Sequence, residues 1–244
     1  MSSRCLSTHR QWVRGCRKLR QTPNRSACYH KHFHYDITDW LPFYWEGFLQ
    51  TTRYTYVLEN IGNPQLLWEQ MATNIRRNIQ KAEKRYNLTV RRGISADELL
   101  RMQNYSFKRQ QLKPKGTKTL RKLIERSKER GQGDVWGAYE PDGKLHAAVF
   151  IAWQSSSAYY IAGGSDPALR ESGAHSLLLW KAIQDVAAYS QVFDFEGSML
   201  VGVERFFREF GAKQLPYFAI SKGKPSLYER AYIKIKRTIS DIFQ

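Results

Sequence analysis

Apolar residues recur every three or four positions at Trp68, Met71, Ala72, Ile75, Ile79 and Ala82. That spacing predicts one helix with a single buried stripe. Asn63-Pro64 supplies its start, a capping residue followed by proline in the first turn. Arg76, Arg77, Lys81, Lys84 and Arg85 are left largely for the outer side, and Asn87 ends the run. Tyr54–Leu58 before this helix and Leu88–Arg91 after it read as short strands. Ser95-Ala-Asp-Glu98 is a capping box that opens a second helix. Thr117–Arg130 makes a third, closed by Gly131.

From Val135 the pattern changes to that of strands. Val135–Tyr139 and Leu145–Trp153 are joined by Pro141-Asp142-Gly143, a turn signature. Ser155–Ser157 turns the chain again into Ala158–Ala162, a strand that Gly163 and Gly164 end. A long helix follows from Glu171 to Tyr189. Val192–Glu196 reads as a strand, Val203–Phe210 as a helix closed by Gly211, and Leu215–Ser221 as a last strand. Tyr228, Ala231, Tyr232, Ile235 and Ile239 give a basic amphipathic helix at the end. The order β-β-β-α-β-α-β-α predicts an antiparallel meander whose third strand is joined to the fourth by a helical crossover. The expected fold class is α/β, with a mixed, mostly antiparallel sheet flanked by helices.

Composition supports a packed domain and adds a sign. Hydrophobic residues make up 42% of the 244, and aromatics 14%. Lys and Arg number 39 against 22 Asp and Glu, a formal charge of +17. Such a field attracts polyanions: nucleic acid, anionic membrane surfaces or phosphate-rich carriers. Arg4, Arg10, Arg14, Arg17, Lys18, Arg20 and Arg25 accumulate before the first acid, Asp36, with no hydrophobic period. Residues 1–34 therefore read as a basic, disordered arm and 35–244 as the folded domain. No apolar run approaches the ~20 residues that span a bilayer, and none reads as a secretory signal. The three cysteines, Cys5, Cys16 and Cys28, all lie in the arm. That usage suits a reducing, cytoplasmic setting rather than a disulfide scaffold. Cys28, His30, His32 and His34 alternate but match no standard zinc spacing, so no metal is expected.

Two segments carry candidate chemistry. In Tyr159–Ser176 a strand ends in glycines, a loop carries Arg170 and Gly173, and a long helix starts. Amides at a helix N-terminus hold anions. Arg170 adds fixed positive charge, and Gly173 offers room for a phosphate. The second segment is Phe193-Asp-Phe-Glu-Gly-Ser-Met199. Alternation in a strand puts Asp194 and Glu196 on one face. Two carboxylates there either raise the pKa of one, which suits a general base, or pair with a cation such as Arg205. Gly197 and Ser198 leave the strand end open, where α/β sheets bind ligands.

Together with Trp40-Leu-Pro-Phe-Tyr-Trp45, Thr51–Tyr56, Asn74–Glu83, Arg205–Gly211 and Pro216-Tyr-Phe218, these segments resemble the Fem-like branch of the GNAT superfamily. That branch includes the peptidoglycan-bridge aminoacyl transferases. The resemblance spans Tyr35 to Ser221. It implies a GNAT-like mixed sheet and an N-acyltransferase acting on an amine, with acyl-coenzyme A as donor. The GNAT loop Arg/Gln-x-x-Gly-x-Gly/Ala cradles the coenzyme A pyrophosphate, and Arg170, Gly173 and His175 fall on its first, fourth and sixth places. His175 departs from the small sixth residue; it is either a functional substitution or a helix-start residue facing solvent.

The implied donor site is Tyr160, Ala162, Gly163, Arg170, Ser172, Gly173, Ala174, His175 and Ser176. The implied catalytic group is Glu196 with Asp194 and Ser198. Amides of Ala158–Ala162 would polarise the donor carbonyl. The Fem enzymes suggest an alternative, an aminoacyl-tRNA donor with a cell-wall precursor as acceptor. A further alternative is a non-catalytic nucleic-acid-binding module on the same scaffold.

Overall fold

The computed structural model describes residues 29–109 and 116–223. The predicted C-terminal basic helix lies outside the described residues. The chain divides into two compact units, one made of Tyr54–Leu215 and the other of Met1–Arg53 with Pro216–Gln244.

In the second of these, β1 (Tyr29–His32) pairs antiparallel with β8 (Lys213–Lys222), Tyr29 opposite Lys222 and His32 opposite Ala219. Strand β1 thus lies within residues 1–34, the segment read as an arm. Helix α1 (Leu41–Trp45) folds its Phe43 onto Phe33, with ring centroids 5.0 Å apart, and onto Phe48 at 5.6 Å. Ile220 completes this small aromatic core. Strand β2 (Leu49–Leu58) leaves it exposed and becomes buried from Thr55 onward.

The larger unit holds α2 (Pro64–Gln70), α3 (Thr73–Lys84), β3 (Thr89–Arg92), α4 (Ala96–Arg109), α5 (Thr117–Glu129) and β4 (Gly133–Tyr139). It continues with β5 (Leu145–Trp153), β6 (Ser157–Ser165), a 3-10 turn (Pro167–Ser172), α6 (Ala174–Val186), β7 (Val192–Asp194) and α7 (Val201–Glu209). Its strands run in the order β2-β7-β6-β5-β4-β3. Only the β6–β7 pair is parallel among these, as the crossover through α6 requires. The fold is the expected mixed α/β sheet flanked by helices.

Strand β5 explains the layering. Its residues alternate between faces, and both faces are buried. Ala147, Val149 and Ile151 meet Ile75 and Ile79 of α3 and Leu178, Leu179 and Ile183 of α6. Ala148 and Phe150 face the other way, onto Leu99 and Met102 of α4 and Ile124 of α5. The capping box forms as predicted: the Ser95 hydroxyl accepts from the Glu98 amide, and Glu98 accepts from the Ser95 amide at 3.0 Å.

The first predicted helix is two. Met71 and Ala72 are extended, and the Ala72 amide donates to the Glu209 carbonyl at 2.8 Å. The apolar stripe survives the break because Met71 remains buried in the same core.

Gly163 and Gly164 do not end β6, which pairs with β5 as far as Ser165 opposite Ala147. A Cβ at Gly164 would stand 2.2 Å from the Met102 carbonyl oxygen, so α4 packs directly on the strand backbone. On the opposite face, a Cβ at Gly163 would stand 2.2 Å from the Tyr160 hydroxyl. Both glycines answer to close approach rather than to a turn.

Candidate active site

The pairing of β6 with β7 stops at Tyr159 opposite Asp194. Beyond it the Phe195 amide donates to Tyr56 on β2, while β6 runs on to Ser165. The two parallel strands therefore part, and β6 presents its second half to the space between them. A bulge lies in that half: Phe150 is opposite Ala162 and Ile151 opposite Tyr160, which leaves Ile161 as an extra residue. A bulge changes which residues share a face. It sets Tyr160 and Gly163, three positions apart, on the same side.

That side walls a cavity of about 420 Å³, within the size range of small-molecule sites. Tyr160, Gly163, Arg170, Ser172, Gly173, Ala174, His175 and Ser176 all line it, so every sequence-predicted donor residue except Ala162 converges there. Ala162 points the other way, into the core under α4. Helix α7 forms the facing wall through Val203, Phe206 and Phe207, and Asn78 of α3 and His146 of β5 close the back. His146 carried no motif, and Asn78, though within the resemblance segment Asn74–Glu83, was not singled out as a site residue; the tertiary fold brings both in.

The turn into α6 is built locally. Asp166 caps the 3-10 turn by accepting from the Ala168 amide at 2.9 Å. Gly173 has φ +77°, which favours glycine. A Cβ there would lie 2.4 Å from the Asn78 carbonyl oxygen. Gly173 thus lets α3 approach the turn, where the sequence suggested room for a phosphate. Ser172 Oγ accepts from the Ala174 amide at 3.2 Å and is buried. Arg170 is exposed at the cavity rim.

His175 faces the cavity. Its Nε2 lies 3.3 Å from the Tyr160 hydroxyl, and its ring packs against Phe206 at 5.6 Å. Burial pushes the Tyr160 phenol well above its ordinary range, so it stays protonated and can donate to that nitrogen.

The predicted catalytic group is arranged otherwise. Strand β7 ends at Asp194, and Glu196 has φ +58°, so alternation stops and the two carboxylates do not share a strand face. Asp194 is buried; its Oδ1 accepts from the Thr55 hydroxyl and, at 2.8 Å, from the Glu196 amide. Glu196 is exposed. Ser198 Oγ accepts from the Leu200 amide at 3.1 Å, capping the approach to α7. None of the three lines the cavity. Arg205, the alternative partner suggested for these carboxylates, bonds Glu209 at 2.8 Å.

A family model described as an acetyltransferase (GNAT) domain matches residues 69–208, more than half of the chain. The chain belongs to the GNAT acetyltransferase domain family. This GNAT domain is accordingly an acyltransferase domain. Its fold is that of FemX, with a TM-score of 0.67 at 12% identity, covering 86% of this chain and 75% of that one. A tandem GNAT protein from the clavulanic acid biosynthesis pathway gives 0.54 at 11% identity, over 89% and 70%. The C-terminal domain of a putative lysylphosphatidylglycerol synthetase from Agrobacterium fabrum gives 0.53 at 14%, over 75% and 65%. No curated protein sequence matches this GNAT domain. No group of three or more His, Cys, Asp or Glu among the described residues could hold a metal, and no described helix is long and apolar enough to cross a membrane.

Proposed function

We propose that this domain transfers an acyl group, in the first instance acetyl, from a coenzyme A thioester to an amine. The observation that carries the reading is the convergence of Tyr160, Arg170 and Gly173–Ser176 on one cavity at the parting of β6 from β7. The thioester arm lies along the second half of β6, and Arg170 with the start of α6 meets the pyrophosphate at the rim. The amine attacks the thioester carbonyl, and the C–N bond forms as the C–S bond breaks. His175 accepts the proton lost by the amine, directly or through the Tyr160 hydroxyl, and returns it to the departing sulfur. This gives His175 the role that the sequence suggested for Glu196.

Titration calorimetry with coenzyme A, on the wild type and on Arg170→Glu, tests the donor. Saturable binding that weakens at least tenfold in the variant supports it, and absence of binding by the wild type at millimolar coenzyme A refutes it. Gly173→Trp is not a suitable probe, because its side chain would meet α3 before any ligand. A second reading, an aminoacyl-tRNA donor, is favoured by one feature. Arg77, Lys84 and Arg85 stand exposed on or beside α3, with Arg76 and Lys81 half-buried on the same helix. Salt-steep tRNA binding lost on charge reversal at these three residues would favour it over coenzyme A.

A further inference from the structure

His146 sits in a second bulge. Ala138 is opposite Ala147 and Tyr139 opposite Leu145, so His146 is the extra residue on β5. The bulge aims its side chain out of the ladder. The imidazole is 1% exposed, yet both ring nitrogens have partners: Nδ1 is 3.0 Å from Ser172 Oγ and Nε2 is 2.9 Å from Glu140 Oε2. Ser172, also 1% exposed, has a second contact through the Ala174 amide at 3.2 Å. The His146 carbonyl accepts from the Asp166 amide at 2.9 Å. One residue thus holds both ends of the segment 166–172 that leads into α6.

With the ring neutral, the donor and acceptor roles run in one direction. A carboxylate accepts, so Nε2–H donates to Glu140. The neutral ring then offers Nδ1 as an acceptor, and the Ser172 hydroxyl donates to it. The Ala174 amide donates in turn to Ser172 Oγ. The Ser172 proton is committed away from the cavity that Ser172 lines. In that arrangement Ser172 does not donate to a bound anion, although the sequence placed it among the cofactor residues.

We propose that His146 is the positioning residue of the turn that opens α6, acting through the Ser172 hydroxyl, with Glu140 fixing its tautomer. Only the consequence for donor affinity rests on the coenzyme A reading. The order of the turn itself does not.

The test compares His146→Asn, whose amide oxygen can replace Nδ1 as acceptor, with His146→Gln, whose amide nitrogen can replace Nε2 as donor. Ser172→Ala removes the linking hydroxyl. The readout is amide hydrogen exchange by mass spectrometry over peptides within 166–176, with α6 residues 178–186 as the internal reference. Ser172→Ala and His146→Gln should speed exchange of the turn roughly tenfold, the loss of about one buried hydrogen bond. His146→Asn should stay within about threefold of the wild type, since the Ser172 bond is kept. Equal loosening by Asn and Gln, or a turn in Ser172→Ala that exchanges as in the wild type, overturns the proposal. If His146→Gln does not fold, Ser172→Ala decides alone. Calorimetry with coenzyme A on the same proteins should show weaker binding in Ser172→Ala than in His146→Asn. A wild type that binds no coenzyme A would sink the donor reading and leave the exchange result to stand or fall by itself.

Discussion

Asp194→Ala separates a structural carboxylate from a catalytic one. Asp194 is 4% exposed and Thr55 3%. The substitution removes the oxygen that accepts from the Thr55 hydroxyl and from the Glu196 amide. Leaving a buried donor without its acceptor costs about 1–3 kcal/mol, and hydrogen bonds to a charged group lie at the upper end. Relief of the carboxylate's own desolvation offsets part of the loss. The net expectation is about 2–4 kcal/mol, the two lost bonds less that relief.

For a domain of this size each kcal/mol moves Tm by about 2–4 °C, so Asp194→Ala should melt ~4–16 °C below the wild type. Urea unfolding should give the same loss with an unchanged m value. Thr55→Val should cost about 1 kcal/mol alone and almost nothing in the Asp194→Ala background, because the two share one bond. A variant that melts within about 2 °C of the wild type, with no coupling to Thr55, would refute the structural assignment. Loss of turnover without loss of stability would return Asp194 to the catalytic group.

Glu196 pays for a left-handed conformation that glycine adopts freely, so Glu196→Gly should be neutral or stabilising by up to about 1 kcal/mol in thermal melts. A clear drop in Tm would show that its side chain contributes more than its backbone costs. Gly164→Ala would drive a Cβ to 2.2 Å from the Met102 carbonyl and push α4 off β6. It should cost about 2 kcal/mol or more in urea unfolding, and a silent substitution would contradict the close packing. Glu204 accepts from the Tyr56 hydroxyl at 2.5 Å and from Arg208, and these two partners, in that order, hold its carboxyl below the ordinary range. A depressed carboxyl contributes stability that is present above the unfolded pKa and lost as pH falls through the folded one. Glu204→Gln should therefore flatten the fall in Tm below about pH 5, and an unaltered acid limb would exclude that contribution.

Much of this protein is legible locally. The stripe from Trp68 to Ala82 marks a buried helical face, because helical side chains three and four apart share a side whatever the tertiary context. The Ser95 capping box closes within one turn of chain, and Leu145–Trp153 is the bounded apolar run of a strand buried on both faces. The strand–turn–helix order from Tyr159 to Ser176 pointed to one wall of the cavity, since those residues are neighbours in sequence before they are neighbours in space. The residues proposed to handle the proton were not legible in the same way. Alternation placed Glu196 beside Asp194, but a short strand that ends one residue later cancels alternation. Two bulges, at Ile161 and His146, shift the face of every residue beyond them, and neither has a periodic signature. The Tyr160 hydroxyl over Gly163, α3 against Gly173 and the buried chain from Glu140 through His146 to Ser172 all join residues that only register and helix packing bring together. Sequence by itself therefore decided which elements form and roughly where the cavity lies. Tertiary structure decided which side chains face it, because strand register and close backbone approach are fixed between elements rather than within them.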